Sequence, residues 1–244
     1  MHQGVDIMDT IKITDDIISS KPLYSGFESK IILYKDNLIK LFFDDVMEKK
    51  IKKLEILASI DEDIIKPKSI VLDTHDKPIG YSMDYKKDFH ESNPKILSKS
   101  DKIKFLLLLK EKLDILHKYD IVYGDIRHPN ILVNNNLDMY LCDLDSVQIG
   151  EYKSNVINMM AYPYIDNVKN IDATLDNYVY NCYVLKVLLG FSNIDNDVLN
   201  YLYDSFYRRW EYDNDFRSII YNMLNISEEN KDKVKMLLKM DKKK

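Results

Sequence analysis

Three polar side chains in an otherwise apolar frame constrain this chain more than any other feature. They lie between Tyr119 and Gly150, in YDIVYGDIRHPNILVNNNLDMYLCDLDSVQIG. A short apolar run, DIVY, leads into the polar turn GDIRHPN. The alternating ILVN, a turn at Asn135 and Asn136, and a second strand, MYLCDLD, follow. Asp125, Asn130 and Asp143 stand where an apolar strand has just ended or is interrupted. Asn130 is five residues beyond Asp125, and Asp143 thirteen beyond Asn130. If the two intervening strands pair as a hairpin, the three side chains converge. One acidic oxygen can then take a proton, while an amide oxygen and a second carboxylate hold a divalent cation.

The flanks read as a mixed fold. Residues 1 to about 20 form a leading strand or a loose arm. From Leu23 the pattern is strands, PLYSGFESKIILYKDNLIKLFF, with Gly26 in the first turn and Asp36-Asn37 in the second. Asp44 to Ile60 has helical spacing at Met47, Ile51, Leu54 and Ala58. Two more strand-like runs, SIVLD and PIGYSMDY, complete a small antiparallel sheet of about five strands. SNPKILSKSDK is a connector into the helix DKIKFLLLLKEKLDILHKYD, capped by Ser100 or Asp101. After Gly150 the chain is irregular through about Asp172. Then YVYNCYVLKVLLG reads as a buried helix ending at Gly190, and helical patterns recur at 197–210, 213–224 and 228–240.

Bulk properties set limits on partners. With 244 residues, 45% of them hydrophobic, the chain can build a real core. A formal charge of -5 gives no bulk pull toward nucleic acid or an anionic membrane. Cys142 and Cys182 lie in apolar surroundings and read as buried thiols in a reducing compartment. No apolar run reaches the roughly 20 residues a membrane span needs, and the N-terminus lacks a signal-peptide pattern. The expected address is cytoplasmic.

The central stretch resembles the catalytic loop and metal-binding segment of the protein-kinase-like superfamily. LHKYDIVYGDIRHPNILVN is similar to that family's L-H-x-x-x-[IL]-[IV]-[YH]-x-D-[IL]-[KR]-x-x-N-[IL]-L-[IV], and DLD stands in the place of D-F-G. The resemblance implies an α+β bilobal fold: an N-terminal nucleotide-binding lobe at 1–85, a hinge and connector at 86–94, and a mainly helical catalytic lobe at 95–244. It implies an ATP-dependent phosphotransferase, with Asp125 orienting and deprotonating a hydroxyl and Asn130 and Asp143 as ligands of Mg2+. Lys40, isolated in the strand NLIKLFF, would pair with the α- and β-phosphates. On the following helix Glu55, or else Glu48, would orient Lys40. Gly26 marks the phosphate loop, and backbone groups of YSMDYKKDF would meet adenine. His117 would hydrogen-bond within the lobe, and Asp176 would accept hydrogen bonds from the catalytic-loop backbone. His128, nearer the chemistry, is a substrate contact or a surface residue.

Three departures from the family pattern bear on function. The phosphate loop has one glycine. Y-G-D replaces H-R-D, so no arginine precedes Asp125 to read a phosphate on an activation loop. Leu144-Asp145 replaces Phe-Gly after Asp143. Arg127 occupies the place of the protein-kinase loop lysine and would stabilise the phosphoryl group in flight. The expected acceptor is a serine or threonine of a protein. The alternatives are a small hydroxyl-bearing substrate, such as an aminoglycoside, a choline-like compound or a sugar, and a nucleotide-binding scaffold without turnover. A non-catalytic helical binding protein is a third class, and it predicts no magnesium-dependent nucleotide binding.

Overall fold

A computed structural model of the chain describes residues 8–154 and 171–189. The helices expected at 197–210, 213–224 and 228–240, and most of the segment between Gly150 and Asp172, lie outside the described residues. The chain divides into two compact units, Met1–Asp88 and Phe89–Lys244.

The first unit is built on a six-stranded sheet, the expected five or so strands with the leading strand added to them. Its strands are β1 (Asp9–Lys12), β2 (Tyr24–Ser25), β3 (Ser29–Tyr34), β4 (Asn37–Phe42), β5 (Pro67–Leu72) and β6 (Pro78–Asp84), in the order β1-β5-β6-β4-β3-β2. Of the two readings of residues 1 to about 20, the leading strand holds: it is β1, and it pairs parallel with β5, so the sheet is not wholly antiparallel. Two helices accompany it instead of one: the single turn α1 (Asp15–Ile18) and the longer α2 (Met47–Ser59). The hairpin β3–β4 closes through Lys35 and Asp36, both at positive φ (47° and 62°), the two-residue turn that matches strand twist. This is one residue earlier than the Asp36-Asn37 turn read from sequence.

Side chains alternate across β4 as a pleated strand requires. Ile39 and Leu41 join Ile13, Ile32 and Val71 in a core on one face, against which Ile17 and Ile18 of α1 pack. Lys40 and Phe42 fall on the other face, where the Phe42 and Tyr81 rings lie 6.3 Å apart. The helix α2 packs on β5 and β6. Its buried residues are Met47, Lys50, Lys53, Leu54 and Leu57, a stripe turned from the expected Met47, Ile51, Leu54 and Ala58. Binary patterning scores lysine as polar, but its four-carbon stem packs like an aliphatic side chain.

In the second unit α3 (Lys99–His117) is capped by Ser98 rather than by Ser100 or Asp101. The Asp101 N–H donates to Ser98 Oγ at 3.1 Å, and Ser98 Oγ donates to the Asp101 carboxylate at 2.7 Å. The buried side of α3 is Ile103, Phe105, Leu106, Leu109, Leu113 and Leu116. Against it packs α4 (Ala173–Leu189), through contacts that include a hydrogen bond from Tyr180 Oη to the Leu106 carbonyl at 2.9 Å. Two small sheets complete the described part. One has the order β10-β9-β7, from β7 (His90–Glu91), β9 (Ile131–Val133) and β10 (Met139–Leu141). The other pairs β8 (Ile121–Val122) with β11 (Gln148–Ile149). Part of the segment read as a connector is therefore a strand, with β7 laid on β9 and the Ser92 N–H donating to the Ile131 carbonyl at 2.8 Å.

Gly80 controls how closely β6 approaches β4. A Cβ there would fall 2.1 Å from the Lys40 carbonyl oxygen, against backbone that cannot swing aside. Gly80→Ala is expected to destabilise the protein by about 2 kcal/mol or more, the scale of an overpacked interior. Urea unfolding would show a lowered midpoint, and an unchanged midpoint would refute this close fit.

Candidate functional site

The chemistry-bearing residues of the second unit meet because β9 and β10 form the hairpin that the alternating pattern implies. Val133 faces Met139 and Ile131 faces Leu141, and the ladder continues as the Cys142 N–H donates to the Asn130 carbonyl at 3.0 Å. Asn130 ends a single 3-10 turn, His128–Asn130, and Asp143 follows Cys142 directly. Asp143 holds a left-handed backbone (φ 64°, ψ 31°), from which a second 3-10 turn, Leu144–Ser146, departs. Asparagine and aspartate are the residues that best tolerate this conformation after glycine.

Asp125 is buried, at 7% exposure. Its carboxylate accepts from Asn130 Nδ2 at 2.7 Å and from Arg127 Nε at 2.8 Å. The same Asn130 nitrogen also donates to the Asp125 carbonyl at 3.1 Å. Burial pushes the Asp125 carboxyl above its ordinary range. The Arg127 charge and the Asn130 hydrogen bond pull the other way, and the negative charge of Asp143 adds to the rise. Asp125 and Asp143 are thus electrostatically coupled. A carboxylate that is buried yet hydrogen-bonded through one oxygen is suited to hold a hydroxyl group and take its proton.

The loop that carries Asp125 is fixed by groups outside the chemistry. Asp176, wholly buried on α4, accepts from the Tyr123 N–H at 2.7 Å and the Gly124 N–H at 2.6 Å. Its carboxylate also meets His117 Nε2 at 2.9 Å. These bonds give Asp176 and His117 the structural positions expected of them. Gly124 has φ of 74°, a conformation that favours glycine, and it turns the chain between the anchored amides and Asp125.

Tyr123 was not singled out from the sequence. Its hydroxyl lies 3.0 Å from the Asn130 carbonyl and 2.8 Å from the Cys142 carbonyl and donates to them, tying the loop to the end of the hairpin. Burial drives its pKa well upward, so the phenol stays a donor at every working pH. The available signal was its place in Y-G-D, two residues before Asp125. His128 is half buried, with Nδ1 3.2 Å from Tyr183 Oη, and burial above all lowers its pKa.

In the first unit Lys40 is 6% exposed, with its ammonium 5.4 Å from the centre of the Phe42 ring. The Glu55 carboxylate accepts from Lys52 Nζ at 2.8 Å, and Glu48 is exposed. Gly26 sits in a tight turn, its N–H donating to the Ser29 carbonyl at 2.8 Å.

Among the described residues no group of three or more His, Cys, Asp or Glu side chains is placed to hold a metal ion. Asn130 and Asp143 are a smaller set. With the Asn130 nitrogen committed to Asp125, its amide oxygen is the atom left for a cation. Two hard oxygen donors fit Mg2+, which is commonly held by one or two side chains together with substrate phosphates. No protein-family model matches this chain, and no curated protein matches it significantly. Among the described residues no helix is long and apolar enough to cross a membrane.

Two substitutions separate the anchors from the chemistry. Asp176→Ala leaves two buried amides without their acceptor and is expected to cost about 3 kcal/mol or more in chemical unfolding. Tyr123→Phe removes one hydroxyl and is expected to cost about 1 kcal/mol. Equal, negligible effects would show that the loop is held by something else.

Proposed function

We propose that the protein is an ATP-dependent phosphotransferase acting on a hydroxyl group, with serine or threonine of a protein as the acceptor. The observation that carries this reading is the buried Asp125 carboxylate. It is bonded to Asn130 and coupled to Asp143, on a loop whose backbone is anchored independently by Asp176. Phosphoryl transfer asks a protein mainly for positioning and charge neutralisation, and these residue types supply both.

In this mechanism the acceptor hydroxyl oxygen attacks the γ-phosphorus of ATP. The bond from that phosphorus to the β–γ bridging oxygen breaks, and ADP leaves. Asp125 orients the hydroxyl and receives its proton. Arg127 uses Nε to hold Asp125, and its terminal guanidinium nitrogens, on a half-exposed side chain, steady the charge of the moving group. Lys40 binds the α- and β-phosphates. Asn130 and Asp143 would hold Mg2+, which when bound would neutralise phosphate charge. The Glu55 role of orienting Lys40 belongs to the same reading.

The test is transfer from γ-labelled ATP, with the protein alone, with cell lysate, and with candidate small hydroxyl compounds. The wild type is expected to label a protein acceptor. Asp125→Ala is expected to lower the rate by a factor on the order of 100 to 10,000, the range for loss of a positioned base. Asp143→Ala is expected to abolish magnesium-dependent transfer. Label appearing only on a metabolite would replace the protein acceptor with a small one. Silence of the wild type alongside both variants would reject catalysis in favour of a nucleotide-binding scaffold.

A further inference from the structure

The loop around Asp125 sends neighbouring side chains to different tasks. Arg127 has an extended backbone (φ -154°, ψ 159°), so its side chain and that of His128 leave the chain in different directions. Arg127 reaches Asp125, whereas His128 Nδ1 lies 3.2 Å from Tyr183 Oη of α4, with the two rings 6.0 Å apart. Ser92 Oγ, just beyond β7, donates to the His128 carbonyl at 3.2 Å. His128 is therefore where α4 and the turn after β7 come up against the loop.

Each of those two elements carries a lysine there. Lys186 lies three residues after Tyr183, one turn along the same side of α4, and is half-buried. Lys95 lies three residues after Ser92, exposed on the short 3-10 turn Pro94–Ile96. Burial acts first on the His128 ring, followed by the charges of Lys186 and then Lys95. Two ammonium groups from distant parts of the sequence thus bear on one ring, three residues from Asp125. No carboxylate among the described residues is paired with either lysine. The mechanism above uses neither of them. Cations gathered without a counter-ion raise the local concentration of an anion, even on a chain whose formal charge is -5.

We infer that Lys186 and Lys95 form a subsite for an acidic acceptor, a serine or threonine flanked by aspartate or glutamate. An extended peptide advances about 3.3 Å per residue. Carboxylates two to four residues from a hydroxyl held at Asp125 therefore reach on the order of 7–13 Å away, onto the neighbouring elements. The inference rests on the reading of Asp125 as the group that receives a protein hydroxyl.

The experiment uses three peptides with one serine each, flanked at the same positions by acidic, neutral or basic residues. Transfer from γ-labelled ATP gives kcat and KM. Anisotropy of the fluorescently labelled acidic peptide, without ATP, gives binding apart from turnover. The wild type is expected to use the acidic peptide at least about tenfold better than the basic one, and to lose that preference with added salt. Lys95→Glu and Lys186→Met are each expected to raise KM for the acidic peptide roughly threefold to tenfold, with kcat and the KM for ATP little changed. Equal use of the three peptides by the wild type would overturn the inference and leave phosphoryl transfer standing. So would a rise in KM that is the same for all three peptides, or one confined to ATP. If Lys186→Met does not fold, Lys95→Glu on its exposed turn decides the matter by the same measurements. Salt-sensitive binding of the acidic peptide that weakens in Lys95→Glu, with no transfer to any peptide, would reject turnover and leave the subsite standing. A wild type that neither binds nor labels the acidic peptide would overturn the subsite, and label on another protein acceptor would still support the phosphotransferase.

Discussion

The buried carboxylate of Asp176 is the interaction on which the second unit's site depends. A charge with no exposure persists in a protein interior only when its lone pairs are occupied. Two consecutive backbone amides and one imidazole nitrogen occupy them here. The arrangement joins three elements in one step: the end of α3 through His117, the strand β8 through the residue after it, and α4 through Asp176 itself. The hydroxyl of Tyr123 then extends the constraint to the hairpin. The placement of Asp125 and Asn130 thus relies on residues that take no part in the proposed chemistry.

Within the site, competing influences act on a single group. Burial raises the Asp125 carboxyl, and it outweighs the opposing pull of Arg127 and Asn130, with Asp143 adding to the rise. The direction suits the proton acceptor proposed for this position, because a carboxylate stabilised further by its neighbours would be a weaker base. Arg127 moderates the effect from a half-exposed position, where solvent screens its charge.

The second unit's site was legible in sequence because its signal is local. Asn130 and Asp143 stand at the open end of one hairpin, with Asp125 on the loop just before it, and period-two alternation in ILV and MYL fixes the strand pairing. The roles of Asp176 and His117 came from family resemblance, since no local pattern links residues 59 positions apart. What stayed hidden depends on tertiary choice. The strand β1 pairs with β5 across most of the first unit, and a four-residue run, DTIK, carries no mark of that partner. The inward turn of Lys50 and Lys53 was missed because a charged letter in a helical pattern is assigned to solvent until a packed structure shows otherwise. Ser98 was passed over as a cap because the serine two residues later competes with it in the sequence.

Gly124 explains one departure from the kinase-like pattern in physical terms. Its N–H donates to Asp176 at 2.6 Å from a left-handed backbone, with φ of 74°. An L-residue with a long side chain pays a strain cost there that glycine avoids. The loop is held by the buried Asp176 carboxylate, one oxygen on each of two consecutive amides.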